Sequence, residues 1–404
     1  MKPITVVGAG FSGLVTAYLL TKAGRQVRVI EKSSRPGGLI NTIRTEHGLV
    51  ETAANGLLNS ARVEAMCADI GVPLLATRKE ARKRFIYRGK PRQVPLHPLE
   101  AVRIAAGMAG NVTRLRPRPV ETIADWGRRV LGKGATDYLL VPALGGIYAG
   151  DPEQLSASLI FGRASLRDHL ATYRPQKAKV RGTVAPPNGM RQLIDGLVDY
   201  LRKRDVELHF EAHAEPQANE LTIVCLSARA ASDYFRAIAP ELADQLARIE
   251  MLSLLTTTCF YGADAATVKG FGCLFPRDQG FRARGVLFND WIFEGRGPAR
   301  AETWIFGGAL DVAVVKMTDD EIRQTIDSDR ERFYQQRNMP MATHITRWPN
   351  SLPHYSVELE RILSALPSTP TNVTLVGNYL GRIGLAKILE RAAYVVENIV
   401  PSWP

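Results

Sequence analysis

Ile4-Thr5-Val6-Val7 is a continuous apolar, β-branched run, the pattern of a strand buried on both faces. It stops at Gly8-Ala9-Gly10-Phe11-Ser12-Gly13 and gives way to a helical stretch to about Ala23, with Gly24 placed to end it. A second strand, Val27-Arg28-Val29-Ile30, ends at Glu31. The C-terminal end repeats this style. Asn372–Val376 reads as a buried strand ending at Gly377, and Ile383 to about Val400 as a helix. In mid-chain, Val184-Ala185-Pro186-Pro187-Asn188-Gly189 precedes an amphipathic helix, Met190 to Lys203, followed by strand patterns at Glu207–Phe210 and Leu221–Leu226. The pattern therefore predicts an α/β protein. A discontinuous Rossmann-type domain is drawn from residues 1–60, 181–226 and 365–404. Inserted into it are a helical lobe, 61–180, and a mixed α+β substrate domain, 227–364. No internal repeat or low-complexity run interrupts it.

The first turn carries chemistry because of its context. Gly-x-Gly-x-x-Gly stands between a strand and a helix, with an acidic residue about twenty positions on. Gly8 permits the tight turn, Gly10 lets backbone approach a pyrophosphate, and Gly13 lets the helix pack against the strand. The helix start then offers unpaired N–H groups to phosphate oxygens. Ala9, Phe11 and Ser12 share that turn, and Glu31 is placed to accept hydrogen bonds from ribose hydroxyls. The fingerprint serves NAD and FAD alike. Downstream, Arg35-Pro36-Gly37-Gly38-Leu39 adds a glycine pair that lets a second segment pass the dinucleotide. This extension resembles the flavoproteins with two dinucleotide-binding domains, a resemblance that implies FAD.

Composition narrows the remaining classes. A chain of 404 residues exceeds what one hydrophobic core fills, so more than one lobe is expected. With 45% hydrophobic and 23% charged residues it is neither disordered nor a multi-span membrane protein. The net charge of +12 calls for an anionic partner: nucleic acid, an acidic bilayer or an anionic small molecule. That charge is local. Between Thr77 and Arg118 lie Arg78, Lys79, Arg82, Lys83, Arg84, Arg88, Lys90, Arg92, Arg103, Arg114, Arg116 and Arg118, opposed by Glu80 and Glu100 alone. No recognition motif accompanies it, which argues against nucleic acid; the bland reading is a solvated basic surface, and the sharper one a cationic rim for lipid head groups or a carboxylated substrate. Cys67, Cys225, Cys259 and Cys273 are too sparse for a disulfide scaffold and lack CxxC spacing, in keeping with a reducing cytoplasm. The apolar run directly after Met1-Lys2-Pro3 leaves no room for a signal peptide, and no run reaches membrane-spanning length.

Other constellations carry less. His209 and His213 stand in HFEAH order, not HExxH, so no metal site is expected. Asp319-Asp320-Glu321 after Thr318 fits a helix start. No serine nucleophile elbow and no P-loop is present.

Several stretches together resemble the protoporphyrinogen oxidase family within the amine-oxidase superfamily of flavoproteins. They include Arg35–Gly38, Gly48–Thr52, Arg84–Tyr87, Gly145–Asp151 (GGIYAGD), Gly272–Phe275, Gly285–Asn289, Arg347–Pro349 with Leu352–Tyr355, and Gly377–Gly381 (GNYLG). They run in family order over nearly the whole chain. The resemblance, which extends to coproporphyrinogen oxidases, implies oxygen-dependent oxidation of a porphyrinogen to a porphyrin in haem biosynthesis. FAD would accept a hydride at N5, hydrogen peroxide would be released, and the protein would sit at the periphery of the cytoplasmic membrane face. Carried over by position, it places Gly8, Gly10, Gly13, Glu31, Lys32, Arg35, Gly37, Gly38 and Leu39 against FAD. Ala53, Ala54, Asn55, Gly56, Gly377, Asn378, Ile383, Gly384 and Leu385 fall near the flavin, and Ala214 beneath the adenine. Arg84 matches the family arginine that pairs with a substrate propionate; its bland reading is a solvated charge. No catalytic base stands out. No cysteine follows Cys273 to tether the flavin, so FAD is expected to be non-covalent.

The chain also departs from the family. Ala53-Ala54 replaces Gly-Pro, Arg382 replaces a glycine, and Arg391-Ala392 replaces Ser-Gly. These changes keep two alternatives open: a flavin oxidase or desaturase of an amine or polyene, and a catalytically silent FAD- or porphyrin-binding protein. Oligomeric state, monomer or homodimer, is also left open.

Overall fold

The computed structural model describes residues 3–108, 115–162, 178–217, 219–381 and 383–399. The sequence's first strand, β1 (Ile4–Val7), is buried along its whole length. Helix α1 (Phe11–Lys22) follows, and then strand β2 (Val27–Ile30). A five-stranded parallel sheet forms around β1 in the order Glu207–His209, β2, β1, Thr222–Val224, Val373–Leu375. Strands β1, Thr222–Val224 and Val373–Leu375 are short, fully buried and rich in β-branched residues because both faces are covered, whereas the edge strand Glu207–His209 is largely exposed. Leu14, Val15, Ala17, Tyr18 and Leu20 bury α1 between this sheet and the helices Arg191–Arg202 and Leu385–Tyr394. The sheet is thus drawn from distant parts of the chain.

A second, seven-stranded sheet runs in the order Ala342–Pro353, Met251–Tyr261, Arg300–Gly307, Gly285–Phe288, Gly272–Leu274, Arg84–Tyr87, Pro91–Arg92. Helix Asp319–Tyr334 covers its far face, burying Ile322, Ile326 and Phe333 against Phe275, Trp304 and Phe306. That helix starts on the Thr318 side chain, with Glu321 returning the bond, so the acidic triplet is a helix cap.

The helical lobe read over 61–180 needs correction. Arg84–Tyr87 and Pro91–Arg92 are strands of the seven-stranded sheet, and Leu75–Ala76 joins a small sheet with Thr183–Ala185. The Arg84 strand pairs in parallel with Gly272–Leu274, nearly two hundred residues away, a partner that no local pattern reveals. Much of the basic stretch therefore lies on a sheet edge. Arg114 lies outside the described residues. The helices of eight or more residues described in the region are Ala61–Asp69, Pro98–Met108, Ile123–Val130 and Val141–Tyr148. Among the described residues no helix is long and apolar enough to cross a membrane, and no cluster of His, Cys, Asp or Glu could hold a metal. His209 instead faces Glu207 at 3.2 Å.

A buried ion pair fastens the cofactor-side arm to the turn that opens helix Arg191–Arg202. Glu51 accepts Arg296 Nη1 at 2.9 Å, the Met190 N–H at 3.0 Å and the Thr42 hydroxyl at 2.7 Å. Arg296 also donates to the Pro186 carbonyl at 3.2 Å. Burial pushes the Glu51 carboxyl up and the Arg296 guanidinium down, so each needs the other's charge and the surrounding donors. Replacing Glu51 by alanine leaves a buried guanidinium unpaired. The expected loss is about 3–5 kcal/mol of unfolding free energy, measured by chemical denaturation.

Candidate flavin site

The site starts where β1 meets α1. Gly8 holds φ +98°, and a Cβ there would sit 2.9 Å from the Cys225 carbonyl oxygen. At Gly13 a Cβ would lie 1.7 Å from the Gly8 carbonyl oxygen, so only glycine lets α1 begin this close to the strand. A Cβ on Gly10, by contrast, would meet nothing within 4 Å. Gly10 is the N-cap of α1, with no side-chain cap and no acidic residue in the first turn. The result is an open cradle at a bare positive helix end, the arrangement an anionic pyrophosphate requires. It lies at the carboxyl ends of the parallel strands, where the order reverses on either side of β1.

The other predicted cofactor residues converge here. Glu31 accepts the Ala9 N–H at 2.6 Å and, with its other oxygen, the Ser33 N–H at 2.8 Å. Its backbone pairs with His209 and Ala212, which brings the chain leading to Ala214 alongside. Gly37 donates its N–H to the Ala9 carbonyl at 2.8 Å and bridges to Gly10. Arg35 donates to the Pro36, Gly38 and Ile40 carbonyls, so in this structure it fastens its own loop. Lys32 is exposed, as is Leu39, whose carbonyl accepts the Thr52 hydroxyl at 3.0 Å. Phe11 is buried beneath the turn, and Ser12 is half-buried beside it.

The flavin-side residues are held by contacts from both layers. Ala53, Ala54, Asn55 and Gly56 follow Thr52, whose carbonyl accepts Trp348 Nε1 at 2.6 Å and the Thr256 hydroxyl at 3.2 Å. Both donors belong to the seven-stranded sheet. At the C-terminal end, Gly377 and Asn378 leave the strand Val373–Leu375, and the Asn378 carbonyl accepts the Tyr355 hydroxyl. The Tyr379 hydroxyl beside them is buried without a hydrogen-bond partner among the described residues. Gly384 caps the helix Leu385–Tyr394, with Ile383 and Leu385 packed on two different clusters. Arg391 lies over the Tyr394 ring; Arg382 is outside the described residues. The open cradle, the uncapped helix and the orphaned hydroxyl together fit a dinucleotide such as FAD. Cys225, beside Gly8, is no nucleophile, because burial pushes its thiol up to about 12.

Strand register defines the opposite wall. Thr256 faces Ile305, Ile305 faces Gly285, Gly285 faces Leu274, and Leu274 faces Ile86. Arg84, two residues before Ile86, is therefore on the same sheet face as the Thr256 hydroxyl that reaches Thr52. Its guanidinium lies 4.1 Å over the Phe271 ring and makes no ion pair among the described residues. Burial lowers its pKa from the ordinary arginine value. Phe271 and Leu287 pack against the cofactor-side cluster. Gly146, in helix Val141–Tyr148, faces Leu274, where an added Cβ would lie 2.7 Å from Leu274 Cδ2. The sequence patterns assign no role to Gly146, Thr256, Phe271, Leu274, Leu287 or Trp348. The readable signal was the strand alternation that puts Gly272 and Leu274, and Gly285 and Leu287, on one face.

Residues 11–213 match the family described as flavin containing amine oxidoreductase. The chain is 25% identical over 460 residues to the chloroplastic protoporphyrinogen oxidase of Oryza sativa subsp. japonica, covering 96% of this chain and 86% of that one. It is 24% identical over 485 residues to the coproporphyrinogen III oxidase of Propionibacterium freudenreichii subsp. freudenreichii, covering 99% and 91%. The fold matches a solved structure from Exiguobacterium sp. 255-15 with a TM-score of 0.79 at 19% identity, covering 100% and 99%. It also matches the cyclohexylamine oxidase of Brevibacterium oxydans IH-35A, with a TM-score of 0.71 at 15% identity, covering 98% and 99%. The shared fold by itself does not select a substrate.

Gly13→Ala forces a methyl group into the Gly8 carbonyl and must displace α1. The variant is expected to purify with at least about tenfold less flavin per chain than the parent, read from the flavin absorbance of the protein.

Proposed function

The chain belongs to the flavin containing amine oxidoreductase family and is a flavin-dependent oxidoreductase; on that premise we propose that it oxidises a porphyrinogen to the porphyrin, with oxygen as final acceptor. The conversion removes six electrons, so flavin, when bound, would supply a two-electron acceptor in each of three rounds and pass the electrons to three molecules of oxygen, releasing three of hydrogen peroxide. The chain's own residues bind and orient. Arg84 is the observation that carries the reading. It is a cation on the substrate-facing sheet, stacked on an aromatic ring and unmatched by a carboxylate among the described residues. A substrate carboxylate supplies what it lacks. Leu274, Leu287 and Phe271 offer an apolar wall of the kind a macrocycle needs. Two relatives that the chain matches over nearly its whole length are named as oxidases of protoporphyrinogen and of coproporphyrinogen III.

Flavin is held non-covalently. All four cysteines are free and buried, and burial pushes their thiols up.

The protein would meet its substrate at an anionic lipid surface. Helix Pro98–Met108 exposes Leu99 and Val102, and Val94 is exposed just before it, near Arg92. Vesicles containing anionic lipid should bind the protein more weakly as salt rises. Val102→Glu should weaken that binding further while leaving flavin content unchanged, measured by vesicle co-sedimentation.

The main test is porphyrin fluorescence in air after addition of coproporphyrinogen III or protoporphyrinogen IX to the flavin-loaded protein. A rise above the uncatalysed control is expected with at least one of them; no rise rejects the proposal. Arg84→Ala should raise KM by about tenfold with little change in kcat, the signature of lost uniform binding. Arg84→Lys should recover part of it.

A further inference from the structure

A cavity of about 650 Å³ opens on the other side of helix Val141–Tyr148 from the Gly146–Leu274 contact. It lies between that helix, helix Ile123–Val130 and the turn from Phe275 to Arg284. Leu144, Leu155, Phe275 and Phe281 give it apolar walls. Three of its four carboxylates are ion-paired: Glu153 meets Arg128, Asp137 meets Lys133, and Asp311 takes Arg282 at 2.8 Å, while Asp278 accepts the neutral Tyr138 hydroxyl.

Two lining cations have no carboxylate among the described residues. Arg277 donates to the Leu310 carbonyl at 3.1 Å. Arg284 donates to Gly307 at 3.2 Å, to Gly145 at 3.3 Å and to Gly150 at 3.4 Å, all carbonyl oxygens. Carbonyls satisfy N–H groups, and at the end of helix Val141–Tyr148 they suit a cation, but they carry no net charge. Burial first, and then the Arg277 charge, lowers the Arg284 pKa to about 10, against the opposing charge of Asp311, which is itself paired with Arg282. Two like charges held toward one partly apolar cavity are stabilised by an anion between them.

We propose that this cavity binds an organic carboxylate with an apolar body, its carboxylate held by Arg277 and Arg284. The site is separate from the flavin face, and the inference stands without the porphyrinogen reading. Two sources share that chemistry: a single-chain fatty acid and a carboxylated macrocycle. Dodecanoate and coproporphyrin III, added separately to the flavin-loaded protein, represent them. Isothermal titration should show saturable binding of at least one probe. Arg277→Gln, a change at an exposed residue that should leave flavin content intact, should weaken that binding by about tenfold or more. Arg84→Ala should leave it unchanged. The probe that binds identifies the source. The proposal is overturned if neither probe binds saturably. It is equally overturned if Arg277→Gln binds as well as the parent, or if Arg84→Ala loses the binding that Arg277→Gln keeps.

Discussion

The structure depends on one close approach: the start of α1 pressed against the end of β1. At Gly13 the missing side chain leaves room for the Gly8 carbonyl, which any Cβ would strike at 1.7 Å. That contact lets the helix begin immediately after the strand and aims its uncapped N–H groups at open space beside Gly10. It also fixes what must surround it. Gly37 joins Ala9, Glu31 turns onto the Ala9 N–H, and Cys225 closes in on Gly8 from the neighbouring strand. The cofactor cradle is thus a consequence of backbone packing, with few side chains in it.

The second layer is referenced to the first through Thr52. Its carbonyl takes hydrogen bonds from Thr256 and Trp348, so the large sheet is set at hydrogen-bonding distance from the turn beside the flavin residues. Glu51, one residue earlier, makes the same arm rigid through Arg296. Adjacent residues therefore do different work: one resists separation of the arm from helix Arg191–Arg202, the other positions the sheet. Arg84 inherits its place from that geometry. Its side chain is partly desolvated on Phe271 and has no carboxylate partner among the described residues.

Much of the cofactor half was legible in the sequence, because its signals are local. The β1–α1–β2 unit and the strand ending at Leu375 follow from apolar runs stopped by glycine. The strand at Arg84 was less legible as a strand. Four residues in a basic run pair with a segment far along the chain, and only long-range register reveals it. Leu274 lies in the family-like stretch Gly272–Phe275 and Phe271 just before it, but the facing of both depends on that same register. Arg284 and Arg277 gave no signal at all. Arg284 becomes notable only when its burial and its lack of an ion pair among the described residues are both visible, and Arg277 only through its nearness to Arg284.

The central claim is that the sheet face bearing Arg84 delivers a porphyrinogen to the flavin, not an amine or a polyene. Anaerobic mixing of flavin-loaded protein with each substrate class, followed by flavin absorbance, tests this most directly. The account predicts that coproporphyrinogen III or protoporphyrinogen IX bleaches the flavin within the time of turnover, while primary amines and polyenes leave it oxidised. Bleaching by an amine or a polyene with no response to either porphyrinogen contradicts it.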